Sequence, residues 1–234
     1  MKNTDYEGQQ ALIERVLDRG ICVKCGACVG LCPHFSYWDG EVVVLDRCPA
    51  DTWRCLQYCP RAGYDGTALE DNASQGNGTI GPFRAIWAAR SADNDVCEQG
   101  QYGGVVSSLL ISAAKKDVIG SAVVTDSGSD GLSPAGRLVR TPSEILACSG
   151  SRYASAGTLA TLNRAINEGE ERIGVVGLPC QMEALGRMAR SEPDGPERME
   201  RVRLKIGLFC TWALDYRSLR AFLAARQLQG PVKK

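Results

Sequence analysis

Hydrophobic positions along the chain follow one rhythm before residue 70 and another after residue 82. In the first part Leu12, Ile13, Val16 and Leu17 recur at helical spacing among charged residues. That predicts a helix over 5–19, capped by Thr4 or Asp5 and ended by Gly20. Asp39-Gly40 then precedes the apolar run Glu41–Leu45, which reads as one strand of a tight hairpin. In the second part strands and helices alternate. Ala85–Ala89 and Ile119–Thr125 read as strands, separated by an apolar helix over Val105–Lys116 whose terminal lysines suit its dipole. Asp126–Ala135 is turn material, and Gly136–Arg140 reads as a hairpin return. Thr141-Pro-Ser-Glu144 is a capping box with proline at the first helical position, which sets a short helix over 142–148. After a loop at 149–153 and a helix over Thr158–Glu168 comes a βαβ unit: strand Arg172–Gly177, helix Pro179–Arg190, strand Leu204–Cys210. A last helix is predicted from Asp215 to Leu228.

Between the two rhythms, 71–82 is polar, glycine-rich and aperiodic, as a linker is. The division is therefore residues 1–70, a linker over 71–82, and a second domain over 83–234. A chain of 234 residues with 44% hydrophobic content can bury a proper core. Its 27 basic and 27 acidic residues balance, so neither a nucleic-acid partner nor a membrane surface is indicated. Met1–Asp18 is polar and lacks the apolar stretch of a signal peptide, and no apolar run has the length to span a bilayer. A cytoplasmic protein is expected.

Chemistry enters through the eleven cysteines. Cys22, Cys25, Cys28 and Cys32-Pro33 follow C-x2-C-x2-C-x3-C-P, the spacing with which bacterial-type ferredoxins hold iron–sulfur clusters. Two-residue gaps let a looping backbone turn successive sulfurs onto one inorganic core, while the fourth cysteine reaches the neighbouring one. Cys22, Cys25 and Cys28 with Cys59 form one predicted site, and Cys32, Cys48 and Cys55 a second. The expectation is an α+β dicluster ferredoxin-like N-terminal domain with two 4Fe–4S clusters. The second run lacks its middle cysteine. Asp51 stands there and is a candidate ligand; the alternatives are a three-iron cluster or an outside ligand. Zinc sites are usually two separated C-x2-C pairs, which fit poorly, and disulfides need an oxidising compartment. His34, the only histidine, reads as a packing or hydrogen-bonding neighbour of Cys32-Pro33.

Strands joined by a right-handed crossover bring their carboxyl ends to one edge of a sheet, so Cys180 and Cys210 can meet where open α/β sheets bind ligands. Cys180 also lies in the first turn of a helix, which favours thiolate. Burial as two small apolar side chains is the competing reading. Cys97 and Cys148 read as structural, with Cys148 near enough to the 149–153 loop to join a site. Gln101-Tyr-Gly103-Gly104 before a helix is a glycine turn that lets phosphate approach backbone N–H groups. No dinucleotide fingerprint or P-loop is present.

Five short segments resemble, in order, the β-subunit family of coenzyme F420-reducing hydrogenases and dehydrogenases. They are Gly81-Pro-Phe83, the run from Gln101 to Leu110, Gly150-Ser-Arg-Tyr153, Val176-Gly-Leu-Pro-Cys-Gln181 and Ile206-Gly-Leu-Phe-Cys210. Members with a ferredoxin-like N-terminal extension are similar to the whole chain. The resemblance implies an α/β flavin-binding-type domain with βαβ units, and a subunit that passes electrons between 4Fe–4S clusters and FAD, and on to or from a hydride carrier such as coenzyme F420. It implies flavin contacts at Gln101, Gly103, Gly104, Ser151, Arg152 and Tyr153, with Arg152 standing where lysine is usual. It associates Cys180 and Cys210 with a further 4Fe–4S cluster. It implies partner subunits of a redox complex of the hydrogenase, formate dehydrogenase or heterodisulfide-reductase kind. Compared with the family, the C-terminal part of the domain is expected to be missing. The alternative expectation is a flavin-free ferredoxin-type electron-transfer module that docks onto a partner subunit.

Overall fold

A computed structural model describes residues 8–49, 53–63, 82–128 and 131–228. Asp51 and nearly all of the predicted linker lie outside these residues.

The chain opens with a short helix, α1 (Gln9–Leu12), that continues as a π-helical turn over Ile13–Leu17. Ala11, Leu12 and Val16 are its buried face, as the 3–4 spacing requires. Strands β1 (Phe35–Trp38) and β2 (Glu41–Val44) form the antiparallel hairpin. Its turn is Asp39-Gly40, both at positive φ, the conformation a two-residue hairpin loop demands. A helix that periodicity did not suggest, α2 (Arg54–Tyr58), carries Cys55 and leads into Cys59.

The predicted strand at Ala85–Ala89 is not formed. The segment is irregular and exposed, with Ile86 and Trp87 in solvent, because among the described residues no strand pairs with it. Helix α3 (Asn94–Gln99) follows, capped by the Asp93 carboxylate, and then α4 (Val105–Lys115). Strands β3 (Ser121–Asp126), β4 (Ala135–Val139), β5 (Ile173–Gly177) and β6 (Val202–Gly207) make one sheet in the order β4-β3-β5-β6. β3, β5 and β6 are parallel, and β4 is the antiparallel hairpin partner of β3. β6 therefore ends three residues before Cys210, short of the predicted Leu204–Cys210. The remaining helices are α5 (Pro142–Ala147), with both halves of the capping box formed, α6 (Thr158–Asn167), α7 (Pro179–Met188), α8 (Gly195–Glu200) and α9 (Tyr216–Ala225). Among the described residues no helix is long and apolar enough to cross a membrane.

Helix α6 organises the whole. Eight of its ten residues are buried, so it is covered on nearly every side. Leu159 and Leu162 pack with Val123, Ile173, Val175 and Leu185 of the sheet and α7, and Cys25, Ala27 and Tyr58 belong to the same core. Ala160 belongs to a second core with Leu12, Val16, Cys28, Phe35 and Cys55. The cysteine-rich segment thus shares its interior with the sheet domain across one helix. Each fully buried leucine or isoleucine there contributes about 1.5–3 kcal/mol.

Candidate functional site

The cysteine loop is built by backbone turns. Lys24, Gly26 and Gly30 all have positive φ, and these reversals fold 22–30 back on itself. Gly26 must be glycine: a Cβ would come within 2.7 Å of the Gly157 carbonyl oxygen and 2.8 Å of the Ala160 nitrogen. The resulting loop turns amides onto sulfurs. Lys24 N–H donates to Cys22 Sγ at 3.4 Å and Arg61 N–H donates to Cys59 Sγ at 3.4 Å, and the Ala27 N–H does the same for Cys25. The repeated donation from residue i+2 to a cysteine sulfur is the environment a ligating thiolate uses.

Burial nevertheless dominates in the free thiols. It pushes Cys25 and Cys28 well above their ordinary value, and Cys55 up to about 11. Beyond burial, charge on Cys28 would be opposed by charge on Cys25, Cys22, Cys59 and Cys55, and charge on Cys55 by charge on Cys32 and Cys48. Cys28 is thus electrostatically close to Cys22, Cys25 and Cys59 of its own predicted set and also to Cys55 of the other, and Cys55 to Cys32 and Cys48. All eleven cysteines are free. Among the described residues no three His, Cys, Asp or Glu side chains converge as closely as a single metal ion needs. Thiols that accept backbone N–H groups suit metal-ligating thiolates, and it is the C-x2-C-x2-C-x3-C-P spacing that suits a cluster. His34 bonds through Nδ1 to Asp46 at 2.5 Å, the hydrogen-bonding part expected of it.

The second feature is a cavity of about 610 Å³ at the carboxyl edge of the sheet. Val124 and Thr125 of β3, Val176 and Gly177 of β5, and Leu208 after β6 form its floor, where open α/β sheets bind ligands. Gln101, Gly104, Ser151, Arg152 and Tyr153 line it, as does Cys210; Gly103 and Cys180 are not among its lining residues. Gly103 and Gly104 have positive φ, and a Cβ on Gly104 would meet the Val96 carbonyl oxygen at 2.6 Å. Gly104 caps α4, so the first-turn N–H groups of that helix face the cavity region unpaired within the helix. Gln101 ties the two glycine-rich segments together: its Nε2 donates to Tyr153 Oη at 3.0 Å, and its Oε1 accepts from Ser151 N–H at 3.0 Å. Arg152 donates to the Ser149 and Ser151 carbonyls, and its Nε is buried with no partner in the protein. Trp212 and Tyr153 stand at the rim with ring centroids 6.2 Å apart, and Phe209 is fully exposed beside them.

Charge on Cys25 would be opposed by charge on Cys180, and charge on Cys180 by charge on Cys210; Cys180 packs against the core that holds Cys25, while Cys210 lines the cavity and is exposed. The thiolate expected at Cys180 is not favoured. Burial raises the Cys180 thiol, outweighing the Gln181 backbone N–H that lowers it. Cys148 lines the cavity as well, whereas Cys97 donates to the Ser91 and Gly103 carbonyls and so holds the glycine turn. Sequence reasoning passed over the roles of five residues here. Asn163 and Thr158 sit at unremarkable helical positions. Lys24 pairs with Asp215 at 2.5 Å and with Glu41 at 2.7 Å across 191 and 17 residues of chain; no local signal predicts such pairs.

Fold and site together define a mixed α/β protein with a buried cysteine-rich loop and an open cavity on either side of one helix. Two family models, described as the N-terminal and C-terminal parts of the coenzyme F420 hydrogenase/dehydrogenase beta subunit, match residues 86–163 and 170–233. They cover more than half of the chain between them, and its second domain belongs to this family. The C-terminal match corrects the expectation that this part is missing. The coenzyme F420 hydrogenase subunit beta of Methanothermobacter thermautotrophicus is 30% identical over 63% of this chain and 53% of that protein. A coenzyme F420-dependent sulfite reductase from Methanocaldococcus jannaschii is 26% identical over 91% of this chain, cysteine-rich segment included, and 34% of that protein. A chain of the F420-reducing [NiFe] hydrogenase complex from Methanosarcina barkeri superposes with a TM-score of 0.54 and 27% identity, covering 57% of this chain and 46% of that one. The chain thus spans about half, or less, of the length of these three proteins.

Proposed function

We propose that this chain is an iron–sulfur flavoprotein subunit of an F420-type oxidoreductase complex. One observation carries the reading: the sheet-edge cavity and the buried cysteine loop are joined through α6, with Thr158 lining the cavity and Leu159 N–H donating to the Cys25 carbonyl at 3.1 Å. Cys22, Cys25, Cys28 and Cys59 would hold one 4Fe–4S cluster. Cys32, Cys48 and Cys55 would hold a second, whose fourth ligand is Asp51 or lies outside the chain. Cys180 and Cys210 would extend the set towards the cavity, as ligands of a further cluster. When bound, clusters supply one-electron carriage, and a flavin supplies the exchange between single electrons and a hydride.

The chain's own residues bind and orient. Gln101 locks the Ser151 loop against the Tyr153 hydroxyl, leaving the α4 N-terminus and Arg152 to meet the phosphates of FAD. Val124, Val176 and Leu208 exclude water from the floor. Tyr153 and Trp212 offer aromatic faces at the rim to a ring system. The hydride carrier would be coenzyme F420 or a similar coenzyme, and the partners are other subunits of a redox complex. The compartment is a reducing cytoplasm.

Titrating the anaerobically purified full chain with FAD, read by quenching of flavin fluorescence, tests the cavity. Saturable one-to-one binding, weakened in Arg152→Ala, supports the flavoprotein reading. Absence of binding while iron is retained would leave the flavin-free electron-transfer module in its place.

A further inference from the structure

Asn163 is fully buried in α6, and every hydrogen-bonding atom of its amide is used. Its Nδ2 donates to the Ala27 carbonyl at 2.9 Å and to the Val29 carbonyl at 2.8 Å. Its Oδ1 accepts from Arg198 Nη2 at 3.2 Å. One turn later Asn167 repeats the pattern, donating to the Gly30 carbonyl at 2.8 Å and accepting from Arg198 Nη1 at 2.8 Å. A single guanidinium thus stands behind two amides that grip the loop between Cys25 and Gly30. An apolar side chain in the same space would take the donor away from the Ala27 and Val29 carbonyls of two buried residues, so the amide is what fixes the backbone of this part of the loop.

We propose that Asn163, backed by Arg198, is a positioning residue that sets the reduction potential of a cluster held by Cys22, Cys25, Cys28 and Cys59; this rests on the cluster assignment made above. In a trans peptide the carbonyl and the following N–H point in opposite directions. Holding the Ala27 and Val29 carbonyls against α6 therefore turns the Cys28 and Gly30 N–H groups away from the helix, onto the other side of the loop. Hydrogen bonding at the carbonyl also polarises the peptide and makes that N–H a stronger donor. Stronger amide donors, and a guanidinium in a half-buried site, favour the more negative, reduced form of a cluster. Asn163 and Arg198 thereby raise its potential from outside the cysteine-rich segment.

The test is a redox titration of the full, anaerobically purified chain, monitored by electron paramagnetic resonance with iron counted in the same samples. In Asn163→Ser and in Arg198→Gln, one cluster signal is expected to shift downward by the equivalent of about tenfold in the reduced-to-oxidised ratio, which is about 59 mV for one electron. The other cluster should hold its potential, and Arg198→Lys should recover part of the shift. Full iron with unchanged potentials in both variants would overturn the inference and leave the cluster assignment intact. Should Asn163→Ser fail to fold, Arg198→Gln decides on the same terms. A wild-type chain without iron would sink the cluster assignment itself, and this inference with it.

Discussion

The cysteine loop and the cavity are neighbours built on opposite logics. The loop places its functional atoms on side chains that lie close in sequence, with turns at Lys24, Gly26 and Gly30 reversing the backbone between them. The cavity draws its walls from β3, α4, the 149–153 loop, β5 and the segment after β6, and much of what faces a ligand there is backbone and small residues. The first kind of site is defined by spacing, the second by shape. Substitutions should therefore act locally and completely in the loop, but by degrees in the cavity. The shared helix α6 is where that contrast should fail.

The largest effect is expected in the loop. Cys28→Ser removes one sulfur of a four-sulfur set, and about half of the iron should be lost, since a cluster with a missing ligand is not retained at partial strength. Iron and sulfide assay checks this; full retention would mean that the sulfurs are more interchangeable than the loop geometry implies. Next comes the shared core. Leu162→Ala should destabilise the fold by about 3 kcal/mol, and chemical denaturation should show the cysteine-rich segment and the sheet unfolding in one transition, because Leu162 packs in the core that holds Cys25 and Tyr58. Two separated transitions would instead support independent folding of the two divisions expected over 1–70 and 83–234. In the cavity, Arg152→Ala should weaken FAD binding by about tenfold, or about 1.4 kcal/mol, without change in iron.

The smallest effect concerns the ion pair that ties the loop to the end of the cavity wall. Lys24 holds the Asp215 carboxyl well below the usual carboxylate range. A depressed carboxyl stabilises the fold while ionised, so its contribution is present at neutral pH and is lost as pH falls through and below the ordinary carboxylate range. Asp215→Asn should cost up to about 1 kcal/mol at pH 7 and flatten the acid limb of the stability curve between about pH 5 and pH 2. Thermal melts across pH check both; an unchanged acid limb would place the acid sensitivity elsewhere.

How much of this was legible follows the same division. Capping residues and hydrophobic period marked α4, α5, α6, the β1–β2 turn and the βαβ unit, because those signals are local. Ala85–Ala89 misled, since an apolar run states that a segment can pair without saying that a partner strand exists. The short helices α2, α3 and α8 were missed because five or six residues hold too little periodicity. In the site, spacing proposes the cysteine grouping, and the fold adds the positive-φ turns at Lys24, Gly26 and Gly30 that reverse the loop between the cysteines. At Cys180 the helix N-terminus is visible in sequence, whereas the partial burial that raises its thiol is not. Asn163, Arg198 and Asp215 act through partners 35 to 191 residues away, and nothing near them in the chain announces the contact.

The most direct test of the whole account is quantification of iron, sulfide and flavin in the anaerobically purified chain, together with its visible spectrum. The account predicts about eight irons and about one flavin per chain, rising to about twelve irons if Cys180 and Cys210 also hold a cluster. Zinc in place of iron would contradict it at its foundation, and iron without flavin would contradict its reading of the cavity.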